Sequence, residues 1–250
     1  PFGTAYRLEK ISNPKLKWEA TRQLNAGIDL SLFKGRIDLS FDVYNKQTTD
    51  MLLQLSVPSY LGGTGWQDIR APFGNVGKME NKGFDLTLHT HNIEAKKFKW
   101  GTDITFSRNR NLVKELDDAN RIYWRNLYWY SEFQTVTKTE AGQPLGMFYG
   151  YQTEGIFTSQ EDILAHAVQV NNPNNDGKNL VDKRAGVWIG DVKFKDLNGD
   201  GVITTDDQTI IGNPNPDFTF GVNNSFSYGP FDLVIYLTGS YGADILNYSR

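Results

Sequence analysis

Cysteine is absent from the 250 residues, so disulfides, thiolate catalysis and cysteine-ligated zinc or iron–sulfur sites are excluded. A large excess of charge of one sign is missing as well, since 26 Lys and Arg residues stand against 29 Asp and Glu residues and the net charge is −3. This near balance gives no electrostatic reason to expect nucleic acid as a partner.

Long hydrophobic runs are also lacking. No stretch of about 18 consecutive apolar residues occurs, so the sequence predicts no transmembrane helix. A transmembrane β-strand remains allowed, because it needs only about 9 to 11 residues of alternating polarity. The opening residues, PFGTAYRLEK, lack the basic and apolar regions of a signal peptide, and the first residue need not be the natural start.

What the sequence does contain is a repeated alternation of apolar and polar residues, together with 24 glycines and 13% aromatic residues. From 17 to 32 the even positions are mostly apolar and the odd positions polar, which is typical of a strand with one face of each kind. Alternation resumes after a short turn and recurs twice more along the chain. The sequence therefore predicts three β-hairpins, over 17–43, 84–106 and 218–241.

Two environments fit such an apolar face: the interior of a β-sandwich, or lipid. The connections between the hairpins, 45–82 and 109–217, are far longer than loops in compact domains, whereas outer-membrane barrels combine short turns with long external loops. Arg22 and Arg108 lie about ten residues from their tight turns, where a lipid-facing cation costs only about 0 to 1 kcal/mol. Asn224 does not fit an apolar face. An aromatic girdle is predicted beside the turns, from Phe33, Phe98, Trp100, Tyr228 and Phe231.

Four segments, in this order, resemble one known family. They are 13–52, which begins NPKLKWEATRQLNAGIDL, NVGKMENKGFDLTL at 75–88, GQPLGMFYGYQTEGIF at 142–157, and 190–233, which begins GDVKFKDLNGDGVITTDD. Together they resemble the C-terminal barrel portion of SusC/RagA-type TonB-dependent outer-membrane transporters.

This resemblance implies an all-β fold, an antiparallel transmembrane β-barrel in the outer membrane of a Gram-negative cell. Six alternating segments supply only part of a 22-stranded barrel. We therefore expect residues 1–250 to be part of one barrel domain, cut at both ends, without the plug domain and the N-terminus. Short turns would be periplasmic, and 45–82 and 109–217 would be long extracellular loops, with outer extensions of strands allowed within them.

The resemblance also implies a function, the import of an oligosaccharide or an oligopeptide. The implied partners are a SusD-like lipoprotein lid, TonB acting through the missing N-terminal part, and outer-membrane lipid. No nucleophile, zinc-protease or phosphate-binding motif occurs, so we expect neither an enzyme nor an organic cofactor. The polar strand faces would line the wet lumen, with Asp29, Asp38, Asp42, Asp85 and Asp103 among their residues.

An aromatic cluster between 122 and 133 is the first candidate binding site. Aromatic faces beside hydrogen-bonding groups suit sugar rings or a protein partner, and the alternative, which the sequence slightly favours, is that they pack a loop onto the barrel mouth. The candidate contact residues are Tyr123, Trp124, Tyr128, Trp129 and Tyr130.

The second candidate is the segment DLNGDGVITTDD, whose oxygen-bearing residues follow the spacing of an EF-hand loop. Calcium prefers such hard oxygen ligands. The candidate ligands are Asp196, Asn198, Asp200, the Val202 carbonyl and Asp207. Asp207 stands where an EF-hand has Glu, and a metal-free loop of Asx-turns is the alternative.

A protein of a different class is compatible with the same features: a soluble, secreted, β-rich glycan-binding or adhesive domain that uses the aromatic cluster and the calcium loop. His89 and His91 share one strand face, where a metal is conceivable, but we expect a solvated polar wall. The two interpretations differ in whether lipid or protein contacts the apolar face.

Overall fold

The computed structural model describes residues 12–54, 72–116, 123–129, 132–175 and 177–247. Strands dominate this part of the chain. In chain order the elements are β1 (Ala20–Leu32), β2 (Ile37–Gln54), β3 (Phe73–Glu94), β4 (Phe98–Glu115), β5 (Tyr123–Trp129), β6 (Glu132–Thr139), β7 (Met147–Tyr151), β8 (Thr153–Ile156), α1 (Gln160–Ala165), β9 (Val192–Phe194), β10 (Gln208–Gly212), β11 (Phe218–Tyr228) and β12 (Phe231–Tyr241).

The first of two compact units is built on a six-stranded antiparallel sheet, in the order β1-β2-β3-β4-β11-β12. It contains all three predicted hairpins, β1–β2, β3–β4 and β11–β12. The turn of the first hairpin places Phe33, Lys34 and Gly35 at positive φ, a conformation that Gly35 adopts without steric cost. The all-β antiparallel fold is therefore confirmed, with an open sheet over the described residues.

Two further pairings join the hairpins into one sheet. β2 pairs with β3, and β4 pairs with β11 although more than a hundred residues separate them in sequence. The registers align apolar residues in continuous rows across the strands. One row runs Leu30, Leu39, Leu88, Ile104, Val222 and Leu237.

The second compact unit contains a four-stranded sheet, in the order β10-β7-β6-β5, and a two-stranded sheet of β8 and β9. Both ranges predicted as long loops thus contain strands. β2 and β3 extend into 45–82, and β4 through β10 lie wholly or partly within 109–217. Their location outside the cell stays a prediction.

A small apolar core holds the second unit together. Phe157 and Ile163 are fully buried and Val187 is 3% exposed. The helix α1 begins at an N-cap, where the Ser159 hydroxyl accepts a hydrogen bond from the Asp162 N–H. It is six residues long, and none of the helices in the described ranges has the length and apolar character needed to cross a membrane.

Candidate functional site

The polar face of the six-stranded sheet carries all five aspartates that the sequence assigns to the lumen. Residues that pair across antiparallel strands share a face, and the face alternates along each strand. Asp38 pairs with His89, which pairs with Asp103, and Asp42 pairs with Asp85. Asp29 pairs with Ser40, whose hydroxyl donates a 2.6 Å hydrogen bond to its carboxylate. The sheet therefore has one continuous acidic and hydroxyl-rich surface.

His89 and His91 belong to this surface. The His89 Nδ1 contacts the Asp103 carboxylate, whose Oδ2 also accepts a 3.0 Å hydrogen bond from Asn223 Nδ2. The two Nε2 atoms of His89 and His91 lie 3.3 Å apart. Across the described ranges no three carboxylate or imidazole side chains come together as a metal-binding group. The histidines thus form a hydrogen-bonded part of the polar wall.

The opposite face of the sheet is apolar, and many of its side chains are exposed with respect to the residues that the structure describes. Every residue of β1 is exposed, Leu24 by 71%, and Leu237 on β12 is 58% exposed. Such a large contiguous apolar surface indicates contact with another apolar phase. The apolar side chains of this face, for which the sequence allows either a β-sandwich interior or lipid as the environment, are therefore not packed into a protein interior.

Aromatic rings form two rows on this apolar face. Near the turns, Trp100 of the predicted girdle stacks on Phe226, which was not among its predicted members, with ring centroids 5.7 Å apart. A second row, which the sequence analysis missed, crosses five strands at the other end of the face. Its rings are Phe41, Phe84, Phe106, Phe218 and Tyr241, each 5.1 to 5.9 Å from the next. Only the strand pairings bring these rings into one line.

The aromatic cluster is only partly described by the structure. Tyr123, Trp124, Tyr128 and Trp129 lie on β5, at an end of the four-stranded sheet, and Tyr130 lies outside the described residues. A role in binding cargo or a partner stays a prediction for all five.

The DLNGDG loop is organised by its own side chains. Asp196 accepts hydrogen bonds from the Gly199 and Gly201 N–H groups, and Asn198 and Asp200 accept from the N–H groups two residues further on. These are the Asx-turns expected of the alternative without metal, and they also shape a loop around a cation. Calcium binding by Asp196, Asn198, Asp200 and Val202 stays a prediction.

Asp207, the last predicted ligand, closes this loop as a buried carboxylate. It is fully buried and accepts hydrogen bonds from the N–H groups of Leu197 at 2.9 Å and Thr204 at 2.8 Å. The bond from the Thr204 N–H, followed by those from Leu197 and Asn198, lowers the pKa of Asp207 below its ordinary value against the opposing effect of burial. Asp207 is thus a charged anchor for the loop.

Asn179 is a buried polar residue that the sequence analysis did not identify. Its amide nitrogen donates to the carbonyls of Ile163 and Ala167, and its amide oxygen accepts from the N–H groups of Gln169 and Val170. It is only 1% exposed. Asn179 therefore ties the segment that follows α1 to the core of the second unit.

Residues 2–158 match the family model described as TonB dependent receptor-like, beta-barrel. The chain belongs to this family, and the alternation, the antiparallel sheet and the two-faced surface are properties of its barrel. The resemblance to SusC/RagA-type proteins that the four sequence segments indicate agrees with a similarity to TonB-dependent receptor SusC.

Similar proteins include TonB-dependent receptors P3 and P26 of Formosa agariphila, at 34% and 31% identity over 97% and 98% of this chain. TonB-dependent receptor SusC of Bacteroides thetaiotaomicron is 26% identical over 96% of the chain. The chain spans 21 to 22% of the length of these relatives.

Solved structures of the same fold include the RagAB peptide transporter, with a TM-score of 0.64 and 23% identity over 90% of this chain and 21% of that one. The closed-closed state of the RagAB peptide importer gives a TM-score of 0.65 and 24% identity, over 92% and 22% of the two chains. These likenesses support the fold and leave the cargo open.

Proposed function

We propose that this chain forms part of the barrel wall and of the extracellular loops of a TonB-dependent importer in the outer membrane of a Gram-negative cell. The observation that carries the proposal is the six-stranded sheet, which is apolar on one face and acidic on the other. A barrel needs this arrangement, because lipid contacts its outside and water its inside.

The placement of the two faces is tested by matched arginine substitutions in the full-length protein. Leu88 lies in the middle of the apolar face, and its neighbour Thr87 lies on the polar face. An arginine at the bilayer midplane costs about 2 to 4 kcal/mol, whereas the lumen tolerates it. We expect Leu88→Arg to lower the amount of folded protein in the outer membrane and Thr87→Arg to leave it unchanged. Equal effects would contradict the proposal.

The importer acts with partners that are outside this chain. A SusD-like lipoprotein lid covers the extracellular mouth, and TonB pulls on the missing N-terminal part to open the channel. Support comes from the similarity to SusC and to the RagAB peptide transporter. Affinity purification of the full-length protein from its own outer membrane is expected to recover the lipoprotein, and a sample without it argues against the lid.

The cargo is an oligosaccharide or an oligopeptide, and nothing is chemically transformed. One of the structures with the same fold is titled a peptide transporter, while the aromatic residues of β5 suit sugar rings. Uptake of fluorescent oligosaccharides and oligopeptides by cells with and without the full-length gene separates the two classes. If cells without the gene take up both classes as well as cells with it, import by this protein is contradicted.

The adhesive-domain interpretation is not supported. It requires the even positions of β1 to be buried, and Leu24, Ile28 and Leu30 are all exposed. In the proposed barrel these side chains contact lipid, and the match to the barrel family supports this assignment.

A further inference from the structure

Basic side chains gather on the apolar face of the six-stranded sheet, at its end furthest from the short turns. We call them the basic belt; its members are Arg22, Lys82, Arg108, Arg110 and Lys114. Lys82 pairs directly with Arg110, and Arg108 pairs with Phe84 of the second aromatic row. Lys114 reaches the same face, because its Nζ contacts Glu80, two residues before Lys82.

Three of these five cations form no ion pair with a described carboxylate. Lys82 and Lys114 both contact the Glu80 carboxylate at 3.0 Å, so this one buried acid is shared by two ammonium groups. No carboxylate among the described residues forms an ion pair with Arg22, Arg108 or Arg110, and all three are exposed. The belt therefore carries a net positive charge, on the face of the sheet that also carries the rows of apolar side chains.

The height of the belt matches one boundary of a bilayer. Arg108 lies ten residues from Phe98, where β4 begins. At about 3.4 Å per residue and a tilt of about 35 to 45°, this separation spans roughly 24 to 28 Å along the membrane normal, close to the apolar band of about 25 Å. The second aromatic row is level with Arg108 at Phe84 and two residues nearer the short turn at Phe106, so aromatic rings and cations meet here as they do at a membrane interface.

We infer that the basic belt binds the phosphate groups of an outer-leaflet lipid whose acyl chains lie against the apolar face. Guanidinium groups bind phosphate through two parallel hydrogen bonds, which favours Arg108 and Arg110 as the main contacts. A bound anion also relieves the repulsion between Lys82 on β3 and Arg110 on β4, which are directly paired on these adjacent strands. This inference rests on the proposed placement in the outer membrane.

The test is lipid binding by the full-length protein in detergent, measured by native mass spectrometry with lipid A, which carries two phosphates, as the probe. We expect the unmodified protein to bind lipid A, and the double variant Arg108→Gln/Arg110→Gln to bind it about tenfold more weakly or worse, because two charge-assisted contacts are lost. Arg108→Lys/Arg110→Lys keeps the charge without the paired hydrogen bonds and should fall between the two.

The matched control is Lys46→Gln/Lys99→Gln, which removes two exposed cations from the polar face of the same sheet. Lys46 pairs with Gln23 and Asn81, and Lys99 with Ser227. This variant should bind lipid A as the unmodified protein does. Equal binding of lipid A by the Arg108→Gln/Arg110→Gln variant and by the control would overturn the inference. So would equal binding of lipid A and phosphatidylcholine by the unmodified protein. Displacement of lipid A by inorganic phosphate at the same concentration would overturn it as well.

Failure of this inference is distinguishable from failure of the proposed function. If the arginine variant inserts into the membrane and imports cargo while its lipid A binding is unchanged, only the lipid site is wrong. If the full-length protein neither partitions into the membrane nor imports cargo, the proposed function itself is wrong.

Discussion

Asn224 on β11 accepts a hydrogen bond from the indole Nε1 of Trp100 on β4, at 3.1 Å, on the apolar face of the sheet. The Thr102 hydroxyl donates to the same amide oxygen at 2.8 Å and accepts from Asn92 Nδ2 at 2.7 Å. The amide that violates the apolar pattern is thus one of a chain of polar groups that satisfy each other. In contact with lipid each of these groups would otherwise lack a partner.

Removal of this amide should cost stability. Asn224→Ala leaves the Trp100 N–H and the Thr102 hydroxyl without their acceptor, so we expect the free energy of unfolding to fall by about 1 to 3 kcal/mol. Urea unfolding of the full-length protein in lipid vesicles, followed by tryptophan fluorescence, measures the change.

Trp100→Phe provides the control, because it keeps an aromatic ring but has no N–H donor. In that background Asn224→Ala should cost less, since one of its two donors is already gone. An equal cost in both backgrounds would mean that the indole hydrogen bond contributes nothing to stability.

How well the sequence predicts a feature of this structure depends on how far apart in sequence the interacting residues are. Alternation and turn residues are local, so they predict the three hairpins, the polar face and the exposed apolar face. Pairing of β4 with β11 joins residues that are far apart in sequence, and no local pattern reveals it. The second aromatic row and the acceptor role of Asn224 depend on that pairing, and for this reason both were missed.

In the second unit, the local signals predict less. The N-cap at Ser159 has a local sequence signal, since two acidic residues follow it in the first turn of α1. Asn179 shows no such signal, because its partners are backbone groups of 163–170, brought to it by the fold. An asparagine in a sequence rich in Asn and Gly predicts a turn, and burial of this one depends on tertiary packing.

Asn179→Ala should destabilise the second unit strongly. It removes the partner of the Ile163 and Ala167 carbonyls and of the Gln169 and Val170 N–H groups, and each buried group left unpaired costs about 1 to 3 kcal/mol. Hydrogen exchange of 154–194 in the full-length protein should therefore become much faster. Asn174→Ala, at an exposed asparagine five residues earlier, should leave exchange unchanged; acceleration by both variants alike would contradict the anchoring role.

Stability of the second unit should depend on pH through Asp162. The Lys193 Nζ lies 2.6 Å from its Oδ1, and this contact, followed by the hydrogen bond from the Thr158 N–H, lowers the pKa of Asp162. A carboxyl whose pKa is lower in the folded state stabilises that state above the unfolded pKa, which is about 3.9, and the contribution disappears as the pH falls through the folded value. Asp162→Asn should therefore accelerate hydrogen exchange at pH 7, and the difference from the unmodified protein should shrink as the pH falls below about 3.9.

Lys193→Met removes the other partner and should show the same loss at neutral pH. Lys195→Met changes an exposed lysine two residues away and serves as the matched control. A difference between Asp162→Asn and the unmodified protein that is as large at pH 2 as at pH 7 would show that the carboxylate charge is not responsible.

Calcium binding by the DLNGDG loop can be tested through a residue with little structural role. Asp200 is exposed, and among the described residues its carboxylate accepts hydrogen bonds only from the Val202 N–H and the Asn198 side-chain amide, whereas Asp207 is buried and holds the loop together in either case. If the loop binds calcium, added Ca²⁺ should slow hydrogen exchange of 196–207 in the full-length protein, and Asp200→Ala should abolish the effect.

Asp206→Ala removes an exposed carboxylate of the same loop that is not a predicted ligand, and this variant should keep the response to Ca²⁺. Exchange that is unchanged by Ca²⁺ in the unmodified protein would favour the metal-free loop of Asx-turns, in which side-chain oxygens of the loop fix the backbone without a cation.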